Sequence, residues 1–247
     1  LSALSLALLI LAHNTVSLLF LPLILFYFLF LIFYFKKKYL MPIFILVIFL
    51  GFGLSAFFWF PAFWEGKYTL ADIINTKEIF INNSLNWQEL FISKWGYGFS
   101  AHKGLASGFM VSLSWFQWFV LVSSGVVLGI TNKIKKTQEK ILIAFMLFYC
   151  LAAICLMTKP FSFLINFLPL LCYLQFPWRL LVIPVFISSF LAAYLLNLLN
   201  KKWKLKSIII FTFLILLSTF NYWQTQGADK NYSDPDLLSK HTGTTET

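Results

Sequence analysis

Long apolar runs, separated by short polar breaks, fill this chain from its first residue to about residue 223. A helix rises about 1.5 Å per residue, so about 20 apolar residues cross a hydrocarbon core of roughly 30 Å. Nothing in these runs alternates as the strands of a membrane barrel do. The pattern therefore predicts an all-α fold, a polytopic integral membrane helix bundle. The predicted spans are 1–12 (the tail of a span), 15–35, 40–60, 115–131, 141–157, 179–199 and 207–223.

Three lysine clusters, at residues 36–38, 133–140 and 201–206, separate pairs of apolar runs and predict the orientation of the bundle. They hold eleven of the 19 basic residues but only one of the nine acidic residues, Glu139. Positively charged loops stay on the cytoplasmic side during insertion. We therefore expect residues 1–223 to form a multi-pass transmembrane domain with these clusters inside. The segments expected outside are the corner at 13–14, 61–114, 158–178 and 224–247, the last being the start of an extracytoplasmic segment.

The composition supports a membrane protein and argues against a nucleic-acid partner. Hydrophobic residues make up 60% of the chain and charged residues 11%, against about 25% charged in soluble domains. The net charge of +10 comes from lysines that flank apolar runs, where they contact anionic lipid head groups. The three cysteines lie in apolar runs without metal-ligand spacing, so we predict neither a metal site nor a cofactor.

Two outer segments are expected to lie at the membrane without crossing it. Asn86 and Glu89 have the spacing of a capping box, and apolar residues then recur at helical spacing, which predicts a surface helix over 86–95. Residues 161–174 are mostly apolar but too few to cross and return. We therefore expect outer-face amphipathic or re-entrant elements there.

Two polar positions near predicted outer ends are candidate cavity-lining sites. His13 and Asn14 interrupt the first two apolar runs; they either line a cavity or form an interfacial turn in which Asn14 caps the span starting at Thr15. Glu65 ends an aromatic segment and is either a polar cavity-wall residue or a solvated loop acid.

The segment Gln175-Phe176-Pro177-Trp178-Arg179 is the most specific local pattern. Arg179 is the single arginine of the chain, and its planar five-donor fork suits phosphate in a way that lysine does not. Pro177 favours a helix start, whose N-terminus attracts anions. The segment predicts a lipid-phosphate site formed by Arg179, Gln175 and Trp178; the alternative is that Arg179 is a snorkelling head-group anchor.

Several of these segments together resemble a known family. They are the His13-Asn14 corner, residues 59–65, residues 175–179 and the closing segments 234–236 and 241–246. The chain resembles the bacterial multi-span membrane proteins labelled "6-pyruvoyl-tetrahydropterin synthase related", which are similar to GT-C-type glycosyltransferases. The resemblance implies a bacterial plasma-membrane enzyme that takes a sugar from a polyprenyl-phosphate donor at the outer leaflet.

The resemblance assigns no catalytic residue to this sequence. The catalytic acid of GT-C enzymes usually lies in the first outer loop, which we expect upstream of Leu1 in a longer protein. A transporter or flippase for lipid-linked sugars, or a structural membrane subunit, is the alternative function. A transporter would favour ionisable groups buried in mid-membrane, and the full spans carry no charged residue near their centres.

Overall fold

The computed structural model describes residues 1–69, 75–92, 111–130, 134 and 136–220. Its described elements are helices, with no strand among them. The α-helices are α1 (Ser2–Ala12), α2 (Asn14–Tyr34), α3 (Met41–Leu54), α4 (Ala56–Glu65), α5 (Lys77–Asn82), α6 (Trp87–Phe91), α7 (Trp115–Gly129), α8 (Thr137–Leu156), α9 (Val182–Asn197) and α10 (Lys201–Thr219). The 3₁₀ helices are Lys38–Leu40, Gly66–Tyr68, Lys159–Asn166, Pro169–Leu174 and Pro177–Leu181.

Three of the helices are long and apolar enough to cross a membrane, which agrees with the all-helical prediction. They are Asn14–Tyr34, Thr137–Leu156 and the continuous helix Pro177–Asn197, close to three of the predicted spans. The first span, 1–12, corresponds to the shorter α1, and 115–131 to the 15-residue α7. Helix α10 overlaps the last predicted span, 207–223, but it begins at Lys201 and is not among the three helices long and apolar enough to cross; residues 221–223 lie outside the described part.

The span predicted over 40–60 corresponds to two helices joined by a bend, a geometry that fits either one broken span or a re-entrant loop. Helices α3 and α4 meet at Ser55 with a bend of 67°. The Ser55 hydroxyl donates to the Gly51 carbonyl at 2.9 Å, and Trp59 Nε1 donates to the Phe52 carbonyl at 2.9 Å. These side chains satisfy carbonyls at the break, which allows a helix to bend within an apolar region.

The core of the bundle is formed by α7, α8 and α9, which pack against one another, with α2 lying against α8 and α9. The Tyr149 hydroxyl of α8 donates to the Leu19 carbonyl of α2, and Phe26 of α2 stacks on Phe145 of α8. Many apolar side chains also face away from this core. In α10, for example, no residue is buried, and most of its large apolar side chains are exposed. An apolar exterior of this extent is unusual for a soluble protein.

These contacts bring the described lysines of the three clusters to one end of the bundle. Leu19 and Phe26 of α2 meet Tyr149 and Phe145 of α8 in reverse order, so the two helices are antiparallel. The Tyr194 hydroxyl near the end of α9 donates to Glu139 near the start of α8 at 2.7 Å, so these helices are antiparallel too. The end of α2, the start of α8 and the end of α9 therefore lie together, and the first residues of α2 and α9 lie at the opposite end.

The structure describes both predicted outer-face elements only in part. Helix α6 has the predicted capping box. Of its apolar stripe, Leu90 is fully buried, whereas Trp87 and Phe91 are 38% and 39% exposed; Phe91 also stacks on Trp118 of α7, with ring centroids 4.6 Å apart. The stripe is therefore partly covered by the protein and partly exposed, and residues 93–95 lie outside the described part. Residues 161–166 and 169–174 belong to two short 3₁₀ helices, neither long enough to cross a membrane.

Candidate functional site

A cleft of about 480 Å³ lies at the end of the bundle opposite the described lysines of the three clusters, between the N-terminal turns of α2 and the 3₁₀ start of the helix Pro177–Asn197. Helix α1 and the α3–α4 break close its other sides. One part of its lining is polar and the other apolar. The described lining residues are Asn14, Thr15, Ser17, Asn75, Gln175 and Arg179, the aromatic Phe52, Trp59 and Tyr173, and the aliphatic Leu6, Ile10, Leu18 and Leu21.

The first turn of α2 places Asn14 on the cleft but leaves His13 beside it. His13, not Asn14, is the N-cap: its Nδ1 accepts from the Val16 amide at 3.3 Å, and the helix begins at Asn14. The alternative in which Asn14 caps a helix starting at Thr15 is therefore wrong. The Asn14 carboxamide oxygen instead accepts from the Thr15 amide at 2.7 Å. The His13 side chain caps α2 and does not line the cleft, whereas Asn14 is one of the predicted residues that do line it.

A tight turn places Gln175 on the same cleft. Gln175 links the 3₁₀ helices Pro169–Leu174 and Pro177–Leu181 and has φ 59° and ψ −50°. The Phe176 amide donates to the Leu174 carbonyl at 2.6 Å across it, which makes the turn a γ-turn. Gln175 and Asn14 are 161 positions apart in the sequence, so the fold alone joins them.

Arg179 is half-buried in the cleft and carries its positive charge without an acidic partner among the described residues. Its guanidinium carbon lies 5.5 Å from the centroid of the Phe176 ring, a cation–π contact that orients the fork. Phe176 in turn stacks on Trp178, with ring centroids 4.5 Å apart. The Arg179 amide donates to the Phe176 carbonyl at 3.1 Å, so the guanidinium, rather than this amide, is the donor available to an anion.

Two other predicted site residues are not part of the cleft lining. Trp178 is half-buried and packs against the core behind Phe176, so its place is to support the segment that carries Arg179. Glu65 is the exposed last residue of α4 and lies outside the cleft, which leaves its predicted role as a cavity-wall residue without support here.

Sequence reasoning missed several lining residues. Asn75 is the most informative of them, because its carboxamide oxygen is buried without a hydrogen-bond partner among the described residues. Ser17 could have been found, since it lies one helical turn after Asn14 and its hydroxyl donates to the Asn14 carbonyl at 2.6 Å. The aromatic residues Trp59 and Tyr173 also line the cleft.

The chemistry of the described lining favours binding an anion. It offers one permanent cation, three carboxamides and hydroxyl groups, and no carboxylate lies among its described residues. A guanidinium with free donors in a partly apolar cleft binds phosphate or carboxylate more strongly than it would in water.

Comparisons of this chain with family models, with curated proteins and with solved structures found no match.

Proposed function

We propose that this chain is a multi-pass membrane protein that binds a polyprenyl phosphate, or a sugar carried on one, in this cleft. In this proposal it is part of a GT-C-like glycosyltransferase acting at the outer leaflet of a bacterial plasma membrane. The observation that carries the proposal is the half-buried Arg179, unpaired among the described residues, at the polar end of a cleft whose other side is aliphatic.

The unpaired cation supports an anionic ligand. Withdrawing a guanidinium from water is costly unless a counter-charge or hydrogen-bond acceptor replaces the lost hydration. Here the described surroundings supply an aromatic ring and neutral carboxamides, and a phosphate would supply the missing negative charge. A phosphate ligand also explains why residue 179 is arginine, since the guanidinium fork can hold two phosphate oxygens at once.

The aliphatic side of the cleft supports a ligand that is also a lipid. Leu6 and Ile10 of α1 and Leu18 and Leu21 of α2 line it, next to helices long enough to cross a membrane. A soluble sugar phosphate would leave these side chains against water, whereas a polyprenyl chain would cover them. Charge on one side and aliphatic surface on the other match a phosphate attached to an isoprenoid chain.

The position of the cleft supports action at the outer leaflet. It lies at the end away from the described lysines of the three clusters, and lysine-rich ends stay in the cytoplasm. A flippase or transporter for the same lipid is the alternative. The described part of the cleft holds no charged residue besides Arg179, and a charged pathway across the membrane would need more.

The test is the binding of a polyprenyl phosphate to the full-length protein in nanodiscs of zwitterionic lipid. If the fork holds two oxygens, Arg179→Lys and Arg179→Ala should both weaken binding, by about 1.5–3 kcal/mol or about ten- to a hundredfold. Lys159→Ala is the matched control, because Lys159 is a basic residue at the same end of the bundle, exposed and outside the cleft. Wild-type binding by the lysine variant would show that Arg179 is only a head-group anchor.

A further inference from the structure

Gln175 has a backbone conformation that residues with a side chain rarely adopt. It and Lys36 are the two non-glycine residues with positive φ in the described part of the chain. Lys36, at φ 56°, follows α2, where the Lys37 amide donates to the Ile32 carbonyl at 2.8 Å, an ordinary helix-ending motif. Gln175 ends no α-helix, and the γ-turn with positive φ around it is a rare and strained turn.

Buried neighbours on both sides hold this turn in place. Leu174 is fully buried, and Pro177 is buried as well. The Gln175 amide donates to the Cys172 carbonyl at 2.9 Å, which fixes the approach to the turn. Pro177 keeps Phe176 extended, at φ −119° and ψ 119°. The surrounding structure thus dictates the backbone at 175 and, with it, the direction in which its side chain leaves.

Glycine would make this turn without a steric penalty, yet the chain has glutamine. The Gln175 side chain lines the cleft, and no described residue forms a hydrogen bond with its carboxamide. Strained backbone of this kind persists at ligand sites, where a fixed side-chain position compensates for it. The strain therefore points to a use of the carboxamide in the cleft.

We infer that Gln175 is a specificity-determining residue whose carboxamide N–H donates to a phosphate oxygen that the Arg179 fork leaves free. A carboxylate has only two oxygens and the fork can engage both, whereas the terminal phosphate of a lipid monophosphate has three besides its ester oxygen. Gln175 would thus favour phosphate over carboxylate. This inference rests on the proposed function, because it requires that Arg179 hold the anion.

Three probes that share the farnesyl chain and differ only in the head group test this inference. They are farnesyl phosphate, farnesoate and farnesol, each titrated into the full-length protein in zwitterionic nanodiscs. The variants are Gln175→Ala, Gln175→Gly and Arg179→Ala, with Lys36→Gly as the matched control. Lys36→Gly removes a positive-φ side chain outside the cleft. Both glycine variants should raise the melting temperature, because glycine relieves the strain, and only Gln175→Gly should alter binding.

The expected result is that both Gln175 variants bind farnesyl phosphate about tenfold more weakly, while farnesoate binding changes little. Gln175→Ala keeps the strain and the melting temperature, so its loss of affinity reports the carboxamide itself. Unchanged phosphate affinity in both Gln175 variants, or an equal loss for phosphate and carboxylate, overturns the inference. If only Arg179→Ala weakens binding, the proposed function stands and the role of Gln175 does not. If Arg179→Ala has no effect either, both fail.

Discussion

At the scale of single residues, His13 joins the end of α1 to the start of α2. Its side chain accepts from Val16, and its backbone is extended between the two helices. Histidine is a less common N-cap than serine or asparagine, but the ring nitrogen performs the same task of accepting one of the free amides of the first turn.

The first prediction concerns this cap. Replacing His13 by alanine should lower the free energy of unfolding by about 1 kcal/mol, because an amide of the first turn loses its acceptor. His13→Asn should restore most of that loss, since asparagine is among the best N-caps. Thermal unfolding of the purified protein measures both. Neither change should alter phosphate binding, since His13 does not line the cleft, whereas Asn14→Ala should reduce it.

Residue-scale features were only partly readable in the sequence. Residue type and local spacing predicted Arg179 and Gln175 as candidate site residues, and both line the cleft. The conformation of Gln175 did not, because it depends on Leu174 and Pro177 being buried by residues distant in the chain. Asn14 and Gln175 likewise come together only because α2 lies against the helix Pro177–Asn197. No local sequence pattern predicts that packing.

At the scale of elements, the packing of α1 against α3 is unusually close at Gly51. A Cβ atom placed on Gly51 would lie 2.7 Å from Leu6 Cδ2 and 3.0 Å from Leu6 Cβ. Such distances are shorter than van der Waals contact, so the two helices approach this closely because residue 51 has no side chain. Gly53, two residues later, has nothing within 4 Å of the same position.

The second prediction compares these two glycines. Gly51→Ala should destabilise the protein by about 1–3 kcal/mol, because the added methyl group pushes α1 and α3 apart. Gly53→Ala is the matched control and should leave stability unchanged or raise it by up to about 1 kcal/mol, since alanine favours helix. The melting temperatures of the two variants measure this difference in stability. Equal effects of the two changes would mean that α1 and α3 do not pack as described, and Leu6→Ala should partly rescue Gly51→Ala.

Hydropathy predicted the ends of α2, α8 and the helix Pro177–Asn197 to within a few residues, because each run stops at charged or turn-forming positions. It missed the break at Ser55 because the residues on both sides are equally apolar. The bend depends on the hydrogen bonds made by Ser55 and Trp59, and a pattern of apolar positions does not predict such bonds.

At the scale of the whole molecule, antiparallel packing gathers the described lysines of three separate clusters at one end and the cleft at the other. The charge pattern predicted this arrangement, and the contacts of Tyr149 and Tyr194 provide it independently. The side of a membrane on which each end lies follows from the positive-inside bias alone.

The third prediction tests that orientation with single cysteines in a background lacking the three native ones. Asn166→Cys, exposed at the cleft end, should react with an impermeant maleimide in intact cells. Tyr39→Cys, 67% exposed beside the first lysine cluster, should react only after permeabilisation. Labelling of position 39 alone in intact cells would reverse the whole orientation and remove the cleft from the outer leaflet.

The bend at Ser55 has a consequence for the surrounding bilayer. Helix α3 has 14 residues and is about 21 Å long, whereas the 21-residue α2 is about 32 Å long, close to the roughly 30 Å of a hydrocarbon core. Under the proposed membrane placement, a bilayer that meets both helices would thin on the side of α3 to reduce hydrophobic mismatch. Phe52 and Trp59 place the cleft on that side. Lipid head groups there would lie deeper than elsewhere around the protein, so a phosphate could enter the cleft sideways from the leaflet with less of its chain drawn out of the membrane.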